Sequence, residues 1–145
     1  MSFQFPIRIY WEDTDAGGIV FYANYLKFME RARTEWLRDL GIEQRALREQ
    51  SGGMFVVSET QLKYHRPARL DDELLVTVEL RQTGSASAII AQRVLSKEEQ
   101  PSLLCEGTIR IGWVDGLTLR PARIPAHVAG TLERHRGSMS QPLTP

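Results

Sequence analysis

Near the start of the chain one acid, Asp15, stands two residues before the pair Gly17-Gly18 and a few residues ahead of a segment with helical periodicity. A loop that turns on two glycines lets backbone approach a ligand closely. The helix start behind it presents unpaired N–H groups at the positive end of the helix dipole. Those are the parts of a site in which a carboxylate attacks a carbonyl, or activates water against it, while backbone donors hold the carbonyl oxygen. Each part alone has a plainer use: an Asp before a helix is most often a turn or cap residue, and Gly-Gly most often serves only the turn. Asp13 reads as such a loop or cap residue, and Asp71 and Asp72 read as turn residues. It is the combination around Asp15 that points to chemistry.

The elements that must position this loop follow from period and punctuation. Tyr25, Phe28, Met29, Ala32, Trp36 and Leu40 recur at three- and four-residue spacing, which predicts one long helix over 23–40 with an apolar stripe. Lys27, Arg31, Arg38 and Asp39 fall off the stripe, and Arg31 is spaced to pair with Glu35. Gly41 suits a left-handed stop, and a short second helix follows over 43–50. The segments 5–10, 54–65, 73–80, 87–96 and 102–114 read as strands; in 73–80, Leu74, Val76, Val78 and Leu80 alternate with polar residues. Turn signals at Asp71-Asp72, Gly84-Ser85 and 97–101 predict that neighbouring strands pair as hairpins. Most of these runs exceed the roughly 5 to 6 residues usual for a strand, which suits a sheet curved around the long helix. The expected class is α+β, an antiparallel sheet wrapped on one helix, in a single domain over 1–136. Asp115-Gly116 turns the chain after the last long strand, Pro125 suits the first turn of a short terminal helix, and 137–145 reads as a disordered tail.

Composition narrows the function classes. The chain has 145 residues with 18 basic and 18 acidic side chains, so no net field favours a nucleic acid or an anionic membrane. It contains no signal-peptide pattern and no apolar run approaching the ~20 residues of a membrane span, which predicts a cytoplasmic protein. The single cysteine, Cys105, has no internal disulfide partner and alternates with Leu103, Gly107 and Ile109, as a buried structural thiol would. His65, His127 and His135 show no triad or metal spacing, and there is no G-x-S-x-G elbow. The expectation is catalysis without metal or cofactor.

The run Arg8-Ile9, Tyr10 to Asp13, Thr14-Asp15, Ala16-Gly17, Gly18, Ile19-Val20 resembles the signature of the 4-hydroxybenzoyl-CoA thioesterase family. A second block, Lys63-Tyr64-His65-Arg66-Pro67-Ala68-Arg69-Leu70-Asp71-Asp72, resembles that family's tyrosine, proline-alanine and Asp-Asp segment. With it the resemblance spans roughly residues 5 to 130. Within the family, E-D-T-D-A-G-G and the helix text E-R-A-R-T-E-W-L-R look most like the acyl-CoA thioesterases encoded beside the Tol-Pal envelope genes. Some members of that subgroup carry histidine where this chain has Tyr22 and tyrosine where it has Trp11.

The resemblance implies the hotdog fold and hydrolysis of acyl-CoA thioesters, coenzyme A being part of the substrate. It makes Asp15 nucleophile or general base, both roles staying open, and the backbone N–H of Tyr22 the donor to the thioester oxygen. Gly17, Gly18, Val20, Phe21 and Tyr25 would contact substrate, with Met54 and Phe55 as further candidates to line the acyl pocket. From their own placement in or just after one strand, Lys63, His65, Arg66 and Arg69 read either as contacts to the coenzyme A phosphates or as a solvated edge with scattered ion pairs, and Glu59 shares a strand face with Lys63. It also implies homodimers with a continuous sheet, commonly paired into homotetramers, with Asp15 facing strand residues of a neighbour. Acyl carrier protein is a further expected partner. The rival readings are a non-catalytic acyl-CoA or acyl-carrier-protein binding module, and a dehydratase of the same fold, whose motif needs a histidine near the helix start. Aromatic, short aliphatic and long fatty acyl groups all stay open as substrates.

Overall fold

The structure, a computed structural model, describes residues 3–136, so the expected 137–145 tail lies outside the described residues. Strand β1 (Phe3–Arg8) leads through a single 3-10 turn at Trp11–Asp13 to helix α1 (Asn24–Asp39) and helix α2 (Gln44–Ser51). Four long strands follow, β2 (Gly53–Tyr64), β3 (Glu73–Thr83), β4 (Ser87–Ser96) and β5 (Leu103–Asp115), and then α3 (Ala126–His135). Strand β1 ends two residues earlier than its apolar pattern suggests because Tyr10 already belongs to the turn, its N–H donating to Asp13 Oδ2 at 2.9 Å.

Helix α1 buries Tyr25, Phe28, Met29, Ala32, Trp36 and Leu37. Leu40 is the C-cap of the helix, partly buried and packed against the core. Gly41 takes φ 85°, and its N–H reaches Arg38 O at 2.9 Å while Ile42 N–H reaches Leu37 O at 2.8 Å. Those two bonds form a Schellman stop, which only a residue tolerant of the left-handed region makes cheaply. Glu35 pairs with Arg38, not with Arg31 as the spacing suggests. An acid placed N-terminal to its base is the better orientation on a helix, and Arg38 lies in the last turn where the dipole favours a cation.

The five strands form one antiparallel sheet in the order β1-β3-β4-β5-β2. Strands β3, β4 and β5 pair as the hairpins their turns predict. The Asp71-Asp72 turn, however, closes no hairpin: β2 pairs with β5 at one edge and β3 with β1 at the other. The 65–72 segment is claimed by other partners. His65 and Arg66 N–H donate to Leu104 O at 2.8 and 3.1 Å, Ala68 O accepts from Val20 N–H at 2.9 Å, and Asp71 N–H and Asp72 O bond Ile9 at 3.0 and 2.9 Å. Pro67 has no N–H to give a ladder and Asp71 sits at φ 71°, so the chain crosses from one edge of the sheet to the other.

Bulges between Val57 and Glu59, Leu80 and Gln82, and Val94 and Leu95 bend the sheet, and its concave face closes on α1. Leu74, Val76, Val78, Ile90 and Ile109 from the middle strands meet the buried face of the helix. Gly107 lets β2 and β5 lie this close: a Cβ there would stand 2.3 Å from Gln61 O and 2.4 Å from Leu62 Cδ2. Gly107→Ala should therefore cost about 1–3 kcal/mol of stability, seen as a lower urea midpoint at unchanged slope. Beyond β5, Asp115 Oδ1 accepts Leu117 and Thr118 N–H at 2.9 Å each, making the expected turn, and Pro125 stands at the cap of α3. Among the described residues no helix is long and apolar enough to cross a membrane.

Candidate active site

The loop carrying Asp15 is a tight turn closed by its own backbone. Gly18 N–H donates to Asp15 O at 3.0 Å and Asp15 N–H to Ile19 O at 2.9 Å, while Thr14 and Val20 form a bridge just outside. Gly18 adopts φ 78°, the left-handed conformation that such a turn needs and that glycine supplies without strain. Asp15 Oδ1 accepts Gly17 N–H at 2.8 Å, and Oδ2 takes no donor from any described residue. The side chain is exposed, so this second oxygen faces outward. Gly17 also leaves the carboxylate its room, since a Cβ there would stand 3.3 Å from Oδ1.

Asp13 performs the structural work in this loop. It is buried, its Oδ2 holds Tyr10 N–H, and its carbonyl accepts both Phe21 N–H and Asn24 Nδ2 at 2.9 Å. That pair of bonds pins the start of α1 beside the Asp15 turn. Ala23 is the N-cap of α1, which has no side-chain cap and no acid in its first turn. Asn24 N–H turns back to Phe21 O at 2.8 Å, whereas the N–H groups of Tyr22 and Ala23 find no acceptor among the described residues. Uncapped donors at a helix start are an anion or oxyanion site in waiting.

Three tyrosines build the wall beside these donors. Tyr64 OH donates to Tyr22 O at 3.1 Å, and its ring meets those of Tyr22 and Tyr25 edge-on at 6.3 and 5.6 Å. Tyr25 OH accepts Ala68 N–H at 3.1 Å, which fastens the crossover segment over the helix. Burial pushes the Tyr25 phenol above its ordinary pKa, so it stays neutral. Tyr25→Phe would strand the buried Ala68 N–H and should cost about 1–3 kcal/mol in chemical denaturation.

A cleft of about 270 Å³ opens at this end of the helix, lined by Ile19, Val20, Tyr22, Tyr25, Tyr64, His65, Arg66 and Pro67. Five of the residues proposed from sequence thus meet around one cavity: Val20, Tyr22, Tyr25, His65 and Arg66. Asp15, Gly17 and Gly18 sit in the turn bonded to Ile19, and Phe21 is exposed with its ring 4.9 Å from that of Tyr22. Glu59, Lys63 and Arg69 do not line this cleft. Glu59 accepts Gln61 Nε2 at 3.3 Å on exposed edge strand β2, Lys63 lies opposite Glu106 in the β2–β5 register, and Arg69 bridges Ile19 while its N–H meets Asp72 Oδ2 at 2.9 Å. Met54 and Phe55 are half-buried in β2, away from the cleft. Sequence reasoning gave Tyr64 no role. Its bond to Tyr22 spans 42 positions, and nothing in the local pattern announces it.

His65 Nε2 stands 3.6 Å from Glu106 Oε1, and neither that nitrogen nor Glu106 Oε2 has a hydrogen-bond partner among the described residues. A second hollow of about 260 Å³ shares His65 and Arg66 with the first, so these two side chains form the partition between them. Cys105 is fully buried with its pKa pushed up to about 12 by burial, and it remains a thiol at neutral pH. Native protein at pH 8 should leave an aromatic disulfide reagent unreacted and denatured protein should consume one equivalent. Among the described residues no three His, Cys, Asp or Glu side chains gather as metal ligands.

Comparison with known proteins gives the chain's family. Residues 9–132 match the family described as the thioesterase-like superfamily. The chain is 40% identical over 127 residues to the acyl-CoA thioesterase YbgC of Haemophilus influenzae, covering 88% of this chain and 91% of that protein. It is 38% identical over 132 residues to the acyl-CoA thioester hydrolase YbgC of Escherichia coli O6:H1, covering 91% and 96%. The solved structure of a probable thioesterase from Bartonella henselae superimposes with a TM-score of 0.79 at 32% identity, over 86% of this chain and all of that one, 100%. The chain therefore belongs to the thioesterase-like superfamily and has its hotdog fold.

Proposed function

We propose that the protein hydrolyses acyl-CoA thioesters to the free acid and coenzyme A. The observation that carries this reading is the placement of an exposed carboxylate, Asp15, in a hydrogen-bonded turn ahead of a helix start whose Tyr22 N–H has no acceptor among the described residues. The thioester oxygen accepts that N–H as negative charge develops on it, an interaction typically worth ~3 kcal/mol in the transition state. The unpartnered Oδ2 of Asp15 either attacks the carbonyl carbon, giving a mixed anhydride that water then opens, or takes the proton of an attacking water. Thiolate is a good leaving group, so neither route needs a strong general acid, and Tyr25 and Tyr64 serve as walls and fasteners. The names carried by the Haemophilus and Escherichia relatives support the same substrate class.

Dimerisation accounts for the residues left outside the cleft. Strand β2 is an edge of 12 residues, exposed over Val57 to Gln61, and a long open edge pairs with another chain unless it is covered. In our reading two copies join along β2, so Glu59 and Lys63 of one face Asp15 of the other, and two such dimers form a tetramer. His65 and Arg66, with Lys63 and Arg69, then receive the coenzyme A phosphates. The protein works in the cytoplasm without a cofactor, drawing acyl groups from coenzyme A or acyl carrier protein, and a tie to envelope maintenance rests on the resemblance to the Tol-Pal-associated thioesterases. Release of free thiol from acyl-CoAs of graded length and aromaticity tests the central step. Turnover of any of them supports it; binding with no thiol released makes the protein a binding module.

A further inference from the structure

The helix start behind the Asp15 turn leaves one carbonyl to a side chain remote in sequence. In a regular helix Tyr22 O would accept the N–H of Leu26, but Leu26 N–H goes to Ala23 O at 3.2 Å. Among the described residues the one donor to Tyr22 O is Tyr64 OH, at 3.1 Å. Tyr64 is the last residue of β2 and stands opposite Cys105 of β5. Its ring lies edge-on against those of Tyr22 and Tyr25, and Tyr25 is itself tied to the crossover segment through Ala68 N–H. The phenol is therefore held in place by the sheet and by two rings. Burial raises its pKa above the ordinary value, so at neutral pH it keeps its proton and donates.

The carbonyl of Tyr22 and the N–H of Ala23 belong to the same peptide. That peptide is trans, so the two groups point to opposite sides of it, and a donor on the oxygen draws electron density from the nitrogen. A hydrogen bond accepted by Tyr22 O thus strengthens the one that Ala23 N–H can give. Ala23 N–H has no acceptor among the described residues and follows directly on Tyr22 N–H. The N-cap Ala23 has helical dihedrals, φ -72° and ψ -17°, so its N–H lies at the positive end of the helix dipole. The donors on either side are already used: Phe21 N–H goes to Asp13 O and Asn24 N–H to Phe21 O. Two adjacent donors remain, and Tyr22 and Tyr64 both line the cleft beside them.

A carbonyl oxygen that gains negative charge as its carbon is attacked is held better by two donors than by one. A wall alone needs no hydroxyl, since phenylalanine at position 64 would present the same ring. We propose that Tyr64 is a positioning residue for thioester cleavage: through the Tyr22–Ala23 peptide it fixes and polarises Ala23 N–H as a second donor to the thioester oxygen, beside Tyr22 N–H. The proposal rests on the thioesterase reading and adds to it a donor and the group that tunes that donor. Tyr64 does not touch the reacting atoms, and no bond to it forms or breaks. Deleting an oxyanion donor outright costs about 100-fold or more in kcat, and weakening one costs less.

The test uses whichever of acetyl-, octanoyl- and benzoyl-CoA turns over fastest. Tyr64→Phe removes only the hydroxyl of a residue 46% exposed, so the fold is kept. It should lower kcat about tenfold and leave KM and the affinity for a non-hydrolysable acyl-CoA thioether within about twofold. Affinity for a trifluoromethyl ketone analogue of acyl-CoA, whose hydrate presents a tetrahedral oxygen, should fall by the same factor of about ten. 3-Fluorotyrosine placed at position 64 alone has a more acidic phenol that donates more strongly, and should raise kcat about twofold above wild type, a gain that a wall would not give. A backbone ester at Ala23, with lactate in place of alanine, deletes the N–H; on that background Tyr64→Phe should change kcat by no more than about twofold. The inference is overturned by kcat of Tyr64→Phe within about twofold of wild type, by an equal loss in thioether binding, or by a tenfold loss that persists in the ester variant. Any of these, with wild type still cleaving, sinks this inference alone, whereas cleavage of none of the three esters sinks the thioesterase reading with it.

Discussion

Asp15→Asn is expected to lower kcat on acyl-CoA by more than about 100-fold while the substrate still binds. The substitution separates two roles that the geometry allows. Asp15 Oδ1 accepts Gly17 N–H at 2.8 Å, and if that were its whole purpose an asparagine oxygen would do the same. Asn keeps the size of the side chain and the turn closed by Gly18 and Ile19, so folding should be unaffected. What it removes is the charge and basicity of Oδ2, the oxygen with no partner among the described residues. A nucleophile and a general base both need that oxygen ionised, so the loss is expected on either route. Asp13→Asn, by contrast, alters a buried cap residue, and its effect should appear first in stability.

Phe28→Ala should cost about 3–5 kcal/mol and lower the melting temperature by roughly 10–16 °C, measured by calorimetry. Phe28 is completely buried on the inward face of α1, where its ring meets that of Tyr25 edge-on at 5.8 Å. Truncation leaves a hole at the point where the sheet closes on the helix, and the rigid strands on either side relax only in part. The damage also reaches the site, since Tyr25 holds the crossover segment through Ala68 N–H. Lys27→Ala, one residue earlier but exposed, should change stability by no more than about 0.5 kcal/mol. A small loss in Phe28→Ala would mean that the helix is not the centre of the core.

Local pattern carried the elements and little of their arrangement. The stripe from Tyr25 to Trp36 gave α1 to within a residue at each end, and alternation in Leu74, Val76 and Val78 gave β3, because both signals come from which side chains a regular backbone buries. Sheet order was not legible: whether β2 pairs with β3 or β5 turns on the hydrogen bonds of 65–72, whose partners Leu104, Val20 and Ile9 are remote in sequence. The site divides the same way. The turn of Asp15, Gly17 and Gly18, a candidate part of it, was readable because a turn ahead of a helix is a local object. The bond of Tyr64 to the Tyr22 carbonyl, 42 positions apart, exists only once the sheet has wrapped the helix. The placement of Lys63 and Glu59 on the open edge of β2 could not be foreseen either, since an edge is a property of the finished sheet.

The most direct test of Asp15 as the chemical group is a paired measurement on wild type and Asp15→Asn from matched preparations. Free-thiol release is followed with enzyme in excess over acyl-CoA, and binding of a non-hydrolysable acyl-CoA thioether is followed by calorimetry on the same samples. The account predicts thioether affinities within about threefold of each other and release slowed by more than about 100-fold in the variant. Release in Asp15→Asn within about tenfold of wild type, at equal affinity, would contradict it and leave the carboxylate as the fastener of its own turn.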